Sequence, residues 1–462
     1  LLSYGDNLHY EKFADGSVKC IEDEVPFGLP DGWAWVRLGN LSAAIQYGLS
    51  NSAEPQGTHR LLRITDIQDG KVDWNAVPFT TVNDPEAYLL KTGDIVFART
   101  GATVGKSFLI TETPYPSVYA SYLIRIRLLG SLSPEYIYQF FDSACYWSQI
   151  TDKSVGVGQP NCNGTSLKEL FIPLPPISEQ LRIVPTAQAL LAYVAKIDAE
   201  KKSLLSIIMA TKSKILDLAI RGQLIPQDPN DEPASVLLER IRAEKEELIK
   251  QGKIKRDKKE SVIFRGEDNS YYEKIGGKVE NISDEIPFEL PEGWAWCRGY
   301  SCFEGMESTK PQGDFFDYID IDAIDNRLHC IKEAKHLPVS DAPSRASRAV
   351  KDGSVLFSLV RPYLENIALV EEKHSNCIAS TGFYVCNSNG VLLPEFMFFL
   401  MISGYVVNGL NQYMKGDNSP SISKDNIGNW LYPAPPVGEQ QTICAKLKTV
   451  FTLVENVEKS LN

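Results

Sequence analysis

At 462 residues the chain is too long for a single core and suits two to four domains. Its hydrophobic content of 43% is ordinary for a globular protein, and no apolar run approaches the ~18 residues of a membrane span, which excludes disordered and helical membrane classes. The formal charge of −12 taken alone favours an acidic cytosolic protein with no nucleic-acid role, because DNA affinity comes largely from Lys and Arg meeting phosphates.

The nine cysteines form no Cys-x-x-Cys pair, and an odd count in a chain this size points to reduced thiols in a cytosol. The five histidines never fall at metal-ligand spacing with a cysteine or carboxylate, so no structural zinc is expected. No charged-then-apolar leader opens the chain.

In chain order, an extended Pro-rich lead-in carries Trp33-Ala-Trp35, an aromatic pair read as a packing anchor. Short β-type runs follow at 60–67, 94–98 and 122–127, then a helix at 134–148 with proline at its first turn. A Gly/Pro/Asn loop leads to a last strand at 170–174, stopped by Pro175 and Pro176. From residue 183 a largely apolar series steps by four and three: Ile183, Ala187, Leu190, Val194, Ile197, Lys201, Leu204, Ile208, Thr211, Ile215, Leu218. That is a heptad seam, and one this long requires a partner helix. Ser178 is expected to N-cap this helix, Pro185 to kink or restart it, and Gly222 to close it. A polar turn at 223–233, a charged helix at 233–251 and a basic tract at 253–260, read as solvated linker, complete the series.

The series then begins again. Glu24-Val-Pro-Phe-Gly-Leu-Pro-Asp-Gly-Trp33-Ala-Trp35 returns as Glu285-Ile-Pro-Phe-Glu-Leu-Pro-Glu-Gly-Trp294-Ala-Trp296, 261 residues on. Gly93-Asp-Ile-Val-Phe97 pairs with Gly353-Ser-Val-Leu-Phe357, and Ala120-Ser121 with Ala379-Ser380. Pro173-Leu-Pro-Pro176-Ile-Ser-Glu179-Gln180 pairs with Pro433-Ala-Pro-Pro436-Val-Gly-Glu439-Gln440 at an offset of 260. The second copy gives β-type runs at 316–321, 354–358 and 382–386, a helix at 394–409, a last strand at 430–432, and a seam of Ile443, Leu447, Val450, Val454, Val457 and Leu461. Offsets this constant mean duplication. Between the matched frames the copies diverge, 46–84 sharing almost nothing with 305–343, as expected of a scaffold whose halves recognise different things.

The duplication, the junctions and the seam together resemble the specificity (S) subunits of type I restriction-modification systems. The stretch Ile215-Leu-Asp-Leu-Ala-Ile-Arg-Gly-Gln-Leu-Ile-Pro-Gln-Asp-Pro-Asn-Asp-Glu-Pro-Ala-Ser-Val-Leu-Leu-Glu239 closely resembles that family's central segment. The likeness covers essentially the whole chain. It lacks a helical segment that the family often carries before the first domain, and its final helix is shorter than its counterpart, so the sequence is read as trimmed or naturally short at both ends.

The fold expected is α+β: two homologous mixed α/β target-recognition domains joined by long antiparallel coiled-coil helices with pseudo-twofold symmetry. The expected divisions are 1–176 for the first recognition domain with its lead-in, 177–262 for a central helical spacer, 263–436 for the second recognition domain and 437–462 for a distal helix. The resemblance implies a cytoplasmic, non-catalytic protein that reads one half of a bipartite asymmetric target with each domain of double-stranded DNA. It implies as partners two methyltransferase (M) subunits and restriction (R) subunits, which would carry S-adenosylmethionine, ATP and Mg, with no cofactor on this chain. Two alternatives stand beside it: the recognition subunit of a type IIG-like restriction-modification enzyme, and a protein-interaction scaffold that binds no DNA.

Residues 36–173 hold eleven basic against twelve acidic side chains, and 299–433 hold eleven against sixteen. Neither domain is a basic slab, so DNA contacts must be local. Gly101-Ala-Thr-Val-Gly105-Lys106-Ser107 mimics a phosphate-binding loop, but it has three residues between its glycines where four are needed, and the second copy has no lysine there. It is read as a recognition loop in which Arg99, Thr100 and Lys106 face DNA. The paired loops before the last strands add Gln159, Asn161 and Asn163 in one copy and Lys415, Asn418 and Ser419 in the other, whose donors and acceptors suit base edges. Arg60, Arg63, Arg345 and Arg348, with Arg361 and Tyr363 from the segment matching the Gly101–Lys106 loop, complete the candidates; plain surface solvation is the competing reading for each arginine.

Overall fold

The computed structural model describes residues 8–154, 161–254 and 259–461. Contacts divide the chain into two units, 1–198 and 199–462.

In the first unit the lead-in hairpin pairs Tyr10–Lys12 with Val18–Cys20. The main sheet has four antiparallel strands in the order Ser107–Leu109, Ile95–Ala98, Leu123–Leu128, Ser42–Tyr47. The unbroken apolar run Ile95-Val-Phe-Ala98 is buried on both faces. Ile95 and Phe97 face the helices with Tyr136, Ile137, Phe140 and Tyr146, whereas Val96 and Ala98 face a second cluster with Trp74, Phe108 and Tyr119. Beside it, His59–Leu62 runs parallel to Ser117–Tyr119 and antiparallel to Phe79–Thr80.

The helix expected at 134–148 is two: α1 (Pro134–Phe140) and α2 (Ala144–Lys153). Ser143 breaks it, its hydroxyl accepting the Tyr146 N–H as an N-cap, a bond that competes with helix continuation. After Phe171–Leu174, which pairs with Ala34–Arg37, comes α3 (Ile177–Ile220), 44 residues and about 66 Å long at 1.5 Å per residue. One expectation fails here, and of the two outcomes expected at Pro185 the restart is not seen. The helix starts directly after Pro176, whose carbonyl accepts the N–H groups of Glu179 and Gln180, so Ser178 lies inside the first turn. Pro185 does not end the helix: Ile183 and Val184 pack on the first core and Gln139 donates to the Val184 carbonyl at 3.1 Å, clamping the backbone where an N–H is missing. The far end is as expected. Gly222 takes φ +67°, with Gln223 N–H on the Leu218 carbonyl and Gly222 N–H on that of Ala219.

In the second unit α4 (Ala234–Lys250) precedes a three-stranded sheet of Ser261–Arg265, Tyr271–Ile275 and Lys278–Asn281. Val355–Ser358 lies between Ile367–Leu369 and Phe383–Cys386, all antiparallel. Phe315–Ile319 lies between Lys335–Pro338 and Ile378–Ser380, the latter pair parallel as in the first copy. The helix expected at 394–409 also breaks, into α5 (Pro394–Met401) and α6 (Gly404–Asn411), with Ser403 as the cap, 260 residues after Ser143. Leu431–Ala434 pairs with Ala295–Arg298, and α7 (Val437–Ser460) follows.

Within this unit the end of α3 packs antiparallel to α7. Leu216, Ala219 and Ile220 share a core with Ile443, Cys444 and Leu447. Lys212 pairs with Glu458 at 3.1 Å, while Gln227, past the end of α3, reaches Glu439 at 3.3 Å. Within this unit α7 thus occupies the expected seam along the C-terminal part of α3. With 24 residues against 44, α7 is too short to cover the rest, and Leu190, Val194 and Ile197 are more than half exposed.

One ion cluster recurs with the repeat. Arg37 binds Glu11, Glu24 and the Glu169 carbonyl; Arg298 binds Glu273, Glu285 and the Asn429 carbonyl. Each cluster ties a lead-in to its domain. The anchors Trp35 and Trp296 are both buried, against Phe27 and Phe171 in one copy and against Phe288 and Tyr405 in the other.

Candidate DNA-recognition surface

The strand Ile95–Ala98 ends in a loop held by three backbone contacts. Arg99 N–H donates to the Tyr122 carbonyl at 3.1 Å, Cys162 N–H donates to the Arg99 carbonyl at 3.0 Å, and Thr100 forms an antiparallel bridge with Asn161. In the second unit the same contacts recur 260 residues later. Leu359 N–H donates to the Gly382 carbonyl at 2.8 Å, Ile422 N–H to the Leu359 carbonyl at 2.9 Å, and Val360 bridges Ser421. One backbone scaffold therefore presents two unrelated side-chain sets: Arg99, Thr100, Tyr122 and Asn161 in one domain, and Leu359, Val360, Gly382 and Ser421 in the other.

In the first domain the Arg99 guanidinium lies 5.0 Å over the Tyr47 ring, and its Nε is buried with no hydrogen-bond partner among the described residues. The Tyr47 hydroxyl accepts the Gly164 N–H at 2.8 Å, fixing that platform. Asn163 caps the helical turn Gly164–Lys168, its side-chain oxygen accepting from Thr165 and Ser166 at 2.9 Å each. Lys106 is exposed, and its carbonyl accepts the Ala98 N–H, so 99–106 is a hairpin loop between antiparallel strands. A phosphate-binding loop runs from strand to helix, which this one does not. Gly105 takes φ +89°, and a Cβ there would lie 2.5 Å from Trp147, so only glycine suits the turn. Gln159 lies outside the described residues.

In the second domain Arg361 is left-handed at φ +48° and directs Nη2 to the Asn418 carbonyl at 2.9 Å and to Ser419 Oγ at 3.5 Å. Lys415 and Ser421 exchange backbone hydrogen bonds at 3.0 Å, closing the loop that holds Asn418 and Ser419. Tyr363 is exposed on the turn Pro362–Leu364 between Arg361 and Glu365, whose carboxyl is pushed up by burial. Arg345 is exposed, and its carbonyl accepts the Thr381 N–H beside Gly382. Arg348 is half-buried on the strand Ala346–Ala349.

Arg60 and Arg63 both have partners within the fold, although the Arg63 side chain stays exposed. The Arg60 guanidinium lies 3.9 Å over Phe79 and donates to the Val77 carbonyl; Arg63 forms a two-pronged pair with Asp66 at 2.6 and 3.0 Å. Arg127 likewise grips the buried Asp94 at 2.6 and 2.7 Å, which leaves fewer cations facing outward than the composition suggests. Two residues at the surface escaped the sequence reading. Tyr122, 62% exposed, directly follows the repeated Ala120-Ser121, and Tyr47 ends the strand that supports Arg99. Position after a repeated pair was the available signal for Tyr122; Tyr47 carried none. No group of three His, Cys, Asp or Glu among the described residues is placed to hold a metal.

Residues 30–207 match the type I restriction modification DNA specificity domain. The EcoAI specificity subunit of Escherichia coli is 24% identical across 92% of this chain and 78% of its own length. The EcoKI specificity subunit of Escherichia coli strain K12 is 22% identical across 94% of this chain and 85% of its own length. Among solved structures, a chain from work on the assembly and conformational transition of the type I R-M system superposes with a TM-score of 0.60 at 19% identity, covering 94% of both chains. The HsdS subunit of Thermoanaerobacter tengcongensis gives 0.52 at 17% identity over 94% of this chain and 93% of that one, and both likenesses are of fold. The two mixed domains and the long helix thus accompany a likeness, along nearly the whole chain, to type I restriction-modification specificity subunits.

Proposed function

We propose that this chain reads a bipartite asymmetric site on double-stranded DNA, one half with each domain, and directs a type I restriction-modification complex to it. The observation that carries this reading is the repeated backbone scaffold with unrelated side chains: a shared frame places two loops together at the same offset, and their chemistry differs. In the first half Arg99, Thr100, Lys106, Tyr122 and Asn161 meet the DNA, and in the second Arg345, Arg361, Tyr363, Lys415, Asn418 and Ser419. The long helices set the gap between half-sites. Catalysis and cofactors belong to partners in the cytoplasm: two methyltransferase subunits with S-adenosylmethionine, which also help to enclose the DNA, and restriction subunits with ATP and Mg. Such help is needed because neither domain carries net positive charge.

The test exchanges residues 36–173 for the corresponding domain of a relative and sequences the methylome of cells carrying the system. One half of the methylated site changes and the other stays. A change in both halves together, or methylation blind to sequence, defeats the modular reading.

A further inference from the structure

Each recognition domain hands over to its long helix through the same two side chains, Glu179-Gln180 at the start of α3 and Glu439-Gln440 at the start of α7. Both glutamines are fully buried. Gln180 Oε1 accepts the Ser133 N–H at 3.1 Å, and its Nε2 donates to the Pro175 carbonyl at 2.9 Å. Gln440 Oε1 accepts the Leu393 N–H at 2.7 Å, and its Nε2 donates to the carbonyls of Pro435 at 3.0 Å and Val391 at 2.9 Å. Ser133 and Leu393 are the cap residues of α1 and α5, so an amide on the long helix holds the first turn of a recognition-domain helix.

The adjoining glutamates grip the lead-ins. Trp33 Nε1 donates to Glu179 Oε2 at 3.2 Å, and Trp294 Nε1 to Glu439 Oε2 at 2.8 Å. In both copies, then, a lead-in, a recognition-domain helix and a long helix, remote in sequence, converge on two adjacent residues. A buried amide left without partners is costly, so a tilt of the domain on its helix would break several bonds at once. A merely stabilising contact would not need to tie all three segments.

We infer that the two Glu-Gln pairs are positioning residues that fix the angle of each recognition domain on its long helix, and thereby how strictly the gap between half-sites is enforced. The inference rests on the reading of the long helices as a spacer-setting element and names the joint through which they act.

The experiment uses the complex with the methyltransferase subunits and a duplex library carrying both half-sites at spacers varied by single base pairs. The variants are Gln180→Leu, Gln440→Leu, Trp294→Phe, which removes the indole N–H together with part of the buried ring, and Glu439→Gln, which keeps an acceptor for that N–H. A fifth carries one extra heptad between Leu204 and Ile215. In the Leu variants the preference for the native spacer over spacers one base pair longer or shorter falls about tenfold, with half-site sequences unchanged, while Glu439→Gln stays near the native preference. A uniform loss of methylation with the preference intact, or altered half-sites, overturns the inference. Should the Leu variants not fold, Trp294→Phe decides by the same ratio. If the heptad moves the preferred spacer and the other variants leave its sharpness unchanged, only the joint is refuted; if the heptad does not move it, the spacer-setting reading falls and the inference with it.

Discussion

Arg99 serves two ends at once: its backbone knits three segments together, and its guanidinium rests on Tyr47 at the edge of the sheet. Replacing its side chain therefore leaves the scaffold standing, as Leu359 at the matched position demonstrates. Arg99→Ala is expected to weaken DNA binding in one of two patterns. A lost base contact removes ~1–3 kcal/mol of discrimination at one position, whereas a lost phosphate contact weakens all sequences and lowers the salt slope by about one. Binding by the complex at several salt concentrations distinguishes them, and native binding throughout removes Arg99 from the surface. At this scale the sequence was only partly legible. It marked Arg99, Thr100 and Asn161, which the fold brings together, because glycines and repeated frames flagged their loops. It could not show that Arg60 stacks on Phe79 or that Arg63 pairs with Asp66, because those partners are set by folding.

The lead-in segments show how an element is attached. Arg298 and Glu273 are both largely buried, and Arg298 joins Tyr271–Ile275 to Ala295–Arg298. Burial pushes the Glu273 carboxyl up, but the hydrogen bonds and charge of Arg298 hold the group below its ordinary value. A depressed carboxylate contributes stability that is fully present above its unfolded pKa, about 4.3, and is lost as pH falls through the folded value. Protection of the Tyr271–Ile275 amides, taken as exchange relative to the free peptide at the same pH, should thus be high at pH 7 and fall below about pH 4. Arg298→Ala, which leaves a buried carboxylate unpaired, should cost on the order of 3 kcal/mol at neutral pH and flatten that dependence. Unchanged exchange in the variant would show that the lead-in is held otherwise. Strands and long helices were legible from their apolar periods. The breaks at Ser143 and Ser403 were not, because the apolar pattern continues across them while a local hydroxyl cap decides the outcome.

For the whole molecule, the repeat, the two mixed domains and the long α3 were legible, since duplication and a heptad seam are properties of the sequence itself. How far the seam is occupied was not, because that depends on the reach of α7. The continuity of α3 through Pro185 has a consequence of phase. An α-helix that gains a heptad grows by ~10 Å and presents nearly the same face, the drift being about 20°. The duplex that the proposed function has it span, by contrast, turns once in ~34 Å, so the same advance of about three base pairs swings a half-site through about 100°. Protein and DNA behave as two screws of different pitch, back in step only after about three heptads, ~32 Å against ~34 Å. Insertions of one, two and three heptads between Leu204 and Ile215 should each lengthen the preferred spacer, yet methylation rates should fall for the first two and recover for the third. Rates that stay level across the series would mean that the joint between the domains swivels freely, and that only length is read.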